Sequence, residues 1–176
     1  MKDVNRISII GGPGTGKTTL AINLGNDLKL PTYHIDEIAH LPNWVKRNKE
    51  ERDRILLEKM NEDKWVIDGT YKKTLEDRIK KSDLVIFLNY STVAKLKGII
   101  SRYLKGRGKE KREIPGCMEK VDFEFIKYTA TWNIKQREKI EEILNRNSDK
   151  NILIFTSRKK LNNWYGQEFN KKIGIC

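Results

Sequence analysis

The chain has 176 residues, 38% of them hydrophobic and 34% charged, with a formal net charge of +12. That length suits one domain with a core of its own, and five Phe, six Tyr and four Trp exclude a disordered polyelectrolyte. The apolar runs are far too short to span a membrane. So little chain precedes the first expected strand that a signal peptide has no room, and the two cysteines, Cys117 and Cys176, argue against a disulfide framework and suit a cytoplasmic location.

The first strand is expected over 6–10, where Ile7, Ser8, Ile9 and Ile10 form a short β-branched run. It feeds Gly11-Gly12-Pro13-Gly14-Thr15-Gly16-Lys17-Thr18, the G-x-x-x-x-G-K-[ST] pattern of a phosphate-binding loop. A helix over 17–29 follows. Glycines let backbone curl around an anion, and the amides of Gly14 to Thr18 can point inward where the helix start adds its positive end. The nucleotide-binding candidates are therefore Gly11, Gly12, Pro13, Gly14, Thr15, Gly16, Lys17, Thr18 and Thr19. Lys17 has the reach for β- and γ-phosphates, and the Thr18 hydroxyl suits Mg²⁺.

After Leu30-Pro31, a second strand over 32–35 ends at Asp36. Residues 36–62, with Pro42, Trp44 and many charges, read as a flap on the acceptor side, closed by a helix over 50–62. The third strand, 65–67, ends at Asp68-Gly69. A helix over 72–81 leads to a fourth strand, 84–88, which ends at Asn89. A helix over 92–105 precedes a loop over 106–120, where glycines and cations alternate. Residues 95–120 carry nine Lys/Arg against three Glu, half of the whole net charge. A long helix over 121–146 shows Val121, Phe125, Tyr128 and Trp132 at helical spacing, read as a core stripe. The fifth strand is 152–155, and a short helix follows Ser157.

Short apolar strands with little alternation, separated by helices, predict a doubly wound parallel sheet with both faces covered. Ligands in such sheets bind beyond the carboxyl ends of the strands. The glycine loop, Asp36, Asp68 and Asn89 all fall at such ends.

On these residues the chain resembles the adenylate-kinase-like branch of P-loop kinases, and more narrowly the group named DNA topology modulation proteins (FlaR-like). The resemblance runs through Tyr33-His34-Ile35-Asp36, Trp65-Val66-Ile67-Asp68-Gly69-Thr70-Tyr71, Thr74-Leu75-Glu76-Asp77-Arg78, 82–88 and 116–125. It implies a three-layer P-loop NTPase α/β fold, strand order 2-3-1-4-5 with a small lid, an ATP site with Mg²⁺, and phosphotransfer. Three positions depart from the pattern. Asn89-Tyr90-Ser91 replaces Asp-x-Pro, Gly98 stands where a first lid arginine is common, and Thr70 replaces Asn.

Phosphoryl transfer needs charge neutralisation and alignment. Lys17 supplies a cation. Thr18 and Asp68 are the metal-site candidates, and Asp36 is the candidate to orient or deprotonate an acceptor hydroxyl, or to hold a water of the Mg²⁺. Arginine grips phosphate bidentately, and Arg102 and Arg137 are ranked as catalytic, ahead of Arg107 and Arg112. Arg78 matches a position near the acceptor side in related kinases. His34 and His40 read as structural, and one loop cysteine cannot build a zinc site. The expected function is ATP-dependent transfer to a nucleotide or other small acceptor. An ATP-switched regulator on DNA and an ATPase without acceptor are the alternatives. The charge admits nucleic acid as a partner, but no DNA- or RNA-binding motif is present. The acceptor and the oligomeric state are left open.

Overall fold

The structure is a computed structural model and describes residues 4–111 and 114–169. Arg112 and Cys176 lie outside the described residues. Strands β1 (Arg6–Gly11), β2 (Thr32–His34), β3 (Trp65–Asp68), β4 (Leu84–Leu88) and β5 (Ile152–Phe155) form one sheet. Every neighbouring pair is parallel, in the order β2-β3-β1-β4-β5. This is the expected α/β sheet with order 2-3-1-4-5.

The helices in chain order are α1 (Lys17–Leu28), α2 (Ile35–Ala39), α3 (Lys49–Met60), α4 (Lys72–Lys81), α5 (Thr92–Gly106), α6 (Phe123–Trp132), α7 (Glu138–Arg146) and α8 (Arg158–Asn163). Alternation along β1 divides the core. Ile7 and Ile9 face Leu20 and Leu24 of α1 together with Leu161, Trp164 and Phe169. Ile10 turns the other way, to Leu75 and Ile79 of α4, Trp132, and Ile140 and Leu144 of α7. At the β2 side, Ile35, Ile38, Leu56 and Met60 cover Trp65 and Ile67. Nearly all of these side chains are fully buried, so the central strands β1, β3 and β4 are buried on both faces, as the sequence pattern predicts, while the edge strands β2 and β5 are only partly covered. No helix among the described residues is long and apolar enough to cross a membrane.

Four expectations need correction. Strand β2 stops at His34, so Asp36 lies in the first turn of α2 rather than at a strand end. The long helix 121–146 is interrupted. Asn133–Arg137 form a wide π-type turn between α6 and α7, and the helix begins at Phe123 under an Asp122 cap whose Oδ1 accepts from Phe125 N at 2.8 Å. Of the expected stripe Val121, Phe125, Tyr128 and Trp132, only Trp132 belongs to the core, and Tyr128 is 46% exposed. The segment 106–120 is not all loop, because Glu110–Lys111 pairs antiparallel with Ile114–Met118.

Candidate active site

Parallel register brings the chemistry to one edge. Ile9 pairs with Asp68, and Asp68 pairs with His34, so the ends of β1, β3 and β2 form one row. The glycine loop leaves from that row. Gly14 (φ +71°) and Gly16 (φ +90°) occupy left-handed backbone, where a side chain is strained. Gly16 caps the twelve-residue α1 without a side-chain bond, and the first turn holds no acidic residue. The opening amides are thus left for an anion. Within the loop, Thr15 Oγ1 and Lys17 Nζ both donate to the Gly12 carbonyl, each at 2.9 Å. Thr70 clips the loop to β3: its hydroxyl donates to the Gly11 carbonyl (3.0 Å) and accepts from the Gly11 amide (3.1 Å).

Thr18 Oγ1 donates to Asp68 Oδ2 at 3.1 Å, and Asp68 Oδ1 meets His34 Nδ1. Two oxygens about 3 Å apart match neighbouring corners of the octahedron that Mg²⁺ demands, and Mg²⁺ needs only one or two protein oxygens besides phosphates and water. The residues present therefore suit that ion. Behind Asp68, Arg78 is fully buried and donates to the Gly69 carbonyl at 2.6 Å, with its pKa drawn down to about 10 by burial. It braces the Asp68-Gly69 turn from inside rather than facing an acceptor. Asn89 points elsewhere too, since its amide donates to Glu141 Oε1 at 3.0 Å.

Helix α5 presses on the loop from above. A Cβ at Gly98 would stand 2.9 Å from the Gly14 carbonyl carbon and closer still to its oxygen. The departure at Gly98 is therefore steric: no side chain fits between α5 and the loop. The same helix buries Lys95 completely beneath Gly12.

One cleft of about 960 Å³ runs from Lys17, Thr18 and Thr19 to Asp36, His40 and Trp44, bounded by Arg102, Phe125, Tyr128 and Arg158. Lys17, Lys46, Arg102, Lys105, Lys120 and Arg158 face it, against Asp36, Asp122 and Glu124. Tyr128 has its hydroxyl pKa pushed up, first by burial and then by the Asp36 carboxylate. A smaller recess of about 280 Å³ adjoins the loop between Thr15, Thr19, Asn23, Arg158 and Tyr165. Arg102 Nε donates to Glu119 Oε1 at 2.8 Å. Arg137 is not brought to the cleft wall; its Nε donates to the same Glu141 oxygen that Asn89 uses, at 2.8 Å.

The flap and the cationic segment meet over the cleft. His40–Leu41 and Val45–Lys46 pair as a hairpin whose tip holds Asn43 and Trp44 at positive φ. Trp44 Nε1 donates to the Met118 carbonyl (3.1 Å) and Trp44 N to Cys117 Sγ (3.3 Å), while Gly116 lies against Pro42. Lys95, Phe125, Tyr128 and Arg158 escaped the sequence reading. Lys95 had a signal: it sits four residues before Ile99 on the buried face of α5, where a lysine is out of pattern.

No family model matches the sequence, and no curated relative does. Among solved structures, the chain is similar to a shikimate kinase from Acinetobacter baumannii in complex with shikimate, at 15% identity over 98% of this chain and 95% of that one, with a TM-score of 0.63. It is also similar to a shikimate kinase from Bacteroides thetaiotaomicron, at 18% identity over 97% and 99%, with a TM-score of 0.54. At such identities the likeness shows the fold, a P-loop α/β sheet with helices on both faces.

Proposed function

We propose that the chain is an ATP-dependent phosphotransferase that moves the γ-phosphoryl group of ATP to a hydroxyl of a small acceptor. One observation carries this reading: a single cleft joins the phosphate loop to Asp36 and Trp44, leaving space beyond what a triphosphate fills. The loop amides and Lys17 take the phosphates, and the recess at Arg158 and Tyr165 takes the nucleoside end. Thr18 and Asp68 would hold Mg²⁺, which shields phosphate charge when bound. Asp36 faces the acceptor end and receives the hydroxyl proton as the acceptor oxygen bonds to phosphorus and the bond to the ADP oxygen breaks. Arg102 stands at the phosphate end of the lid segment for the charge that develops in transfer.

The likeness to shikimate kinases and the resemblance to P-loop kinases support this reading. Six cations also line the cleft, which suits a small anionic ligand. Lys17→Ala tests the loop directly. The variant is expected to lose measurable ATP binding by calorimetric titration, because it removes a charge-assisted bond from within the ring of loop amides. Wild-type protein given ATP·Mg²⁺ and a panel of nucleotides, sugars and hydroxy acids should release ADP with one class of acceptor. Unchanged ATP binding in Lys17→Ala would overturn the assignment of the loop. Acceptor-independent ADP release alone would favour a simple ATPase.

A further inference from the structure

We propose that Lys95 is a second cation of the phosphate site: a positioning residue buried behind the loop, whose counter-anion is the nucleotide's phosphates, so that nucleotide binding takes up a proton at alkaline pH. The inference rests on the loop reading above and goes beyond it. Lys95 has zero exposure. Its ammonium donates to the neutral amide oxygen of Asn133 at 2.6 Å and sits 4.4 Å from the centre of the Trp132 ring. Among the described residues no carboxylate pairs with it. A buried, unpaired ammonium is expensive unless a partner arrives.

The neighbours point to that partner. Gly12 has no left-handed backbone, yet a Cβ there would stand 2.7 Å from Lys95 Cδ and 3.0 Å from Trp132 Cδ2. The second glycine of the loop is thus required by the lysine stem and the indole. The wide turn after α6 places Asn133, which also donates to the Tyr90 carbonyl and to Thr92 Oγ1, each at 3.3 Å. The loop, the start of α5 and the wide turn therefore converge on one ammonium.

The charged groups around it are Lys17 on the loop side and Arg137 on the wide turn, with Glu141 of α7 bound to Arg137 and Asn89. Tyr90, at the exit of β4, is held neutral by burial, which pushes its hydroxyl up to about 12. Burial first, then Lys17 and Arg137, pull the Lys95 ammonium from its ordinary 10.5 down to about 8. Phosphates in the loop would neutralise Lys17 and attract the ammonium through a medium of low dielectric, which outweighs the penalty that burial leaves. The pKa of Lys95 rises on binding. Affinity is then full below about pH 8 and falls as pH climbs from there toward the pKa of the complex.

Calorimetry with ADP·Mg²⁺ decides the matter on wild-type protein. At pH 8.5, titrations in two non-phosphate buffers of unlike ionisation enthalpy should report uptake of about half a proton or more, and affinity should weaken about tenfold between pH 7.5 and 9.5. Lys95→Met keeps the stem and drops the charge. It should bind ADP about tenfold more weakly at pH 7.5, show no pH step, and melt no lower than wild type, since an apolar replacement of an unpaired buried ion is not destabilising. A merely structural lysine would lower the melting temperature and leave the pH profile alone. Binding without proton uptake in wild type would overturn this inference while leaving the loop reading intact. No ADP binding at pH 7.5 would overturn both. If Lys95→Met fails to fold, the wild-type proton count still decides.

Discussion

Gly98→Ala is expected to lower the melting temperature by about 5 °C or more and to weaken ADP binding at least about tenfold. The added methyl group meets backbone, not a side chain that can swing away. It would stand 2.9 Å and 3.1 Å from the carbonyl carbon and Cα of Gly14, and nearer to the carbonyl oxygen. The contact is tight from the loop side too, because a Cβ on Gly14 would itself run into α5, at the Lys95 carbonyl oxygen and 2.9 Å from the Ile99 nitrogen. Overpacking of this kind costs about 1–3 kcal/mol, occasionally more, and in a chain of this length each kcal/mol moves the melting point by about 2–4 °C. The clash is relieved by parting α5 and the loop, and that reshapes the amide cradle. Gly106→Ala serves as the comparison. It ends the same helix, and its added atom meets only the Glu119 side chain at 3.3 Å. It should leave both quantities near wild type. A Gly98→Ala protein with unaltered melting point and affinity would show that α5 does not bear on the loop.

That helix also shows where the sequence stopped being readable. The phosphate loop and the five strands were legible because each depends on neighbours in the chain: a glycine pattern between a β-branched run and a helix, and apolar runs too short and continuous to be anything but buried strands; the strand order came from the resemblance to P-loop kinases and not from local pattern. The pairing of Thr18 with Asp68 was legible as the last residue of the loop motif beside the end of the strand next to the loop's own. Gly98 was not, because its constraint comes from a residue 84 positions away and leaves no local trace. Lys95 was counted among lid cations, since a charge run is usually a solvated face. Only its register with Ile99 sets it apart. The stripe of Phe125 and Tyr128 has the spacing of a core face, and periodicity cannot tell a face packed on a sheet from one that walls a cleft. Asp36 shifted from strand end to helix start because β2 is three residues long, and boundaries carry the weakest signal.

Arg102→Ala is expected to reduce ADP release from ATP about a hundredfold to a thousandfold while leaving ADP affinity within a few-fold of wild type. Arg102 faces the cleft from the last turns of α5, and its guanidinium is held by Glu119 at 2.8 Å and lies 6.0 Å from the centre of the Phe125 ring. A group so placed contributes little to the bound ground state and more to charge that develops in transfer. Lysine should not substitute well, because it lacks the planar fork. The Glu119 side chain is only 6% exposed, against 37% for Arg102. Removing the arginine alone therefore strands a buried carboxylate and should lower the melting point as well. Arg102→Ala combined with Glu119→Gln removes both charges. The double variant should recover stability relative to Arg102→Ala but not turnover. Glu119→Gln alone should retain most turnover, because it loosens the resting position of Arg102 without deleting it. Turnover that recovers together with stability in the double variant would assign Arg102 to holding the lid segment in place, and the charge needed for transfer would then have to come from another cation of the cleft.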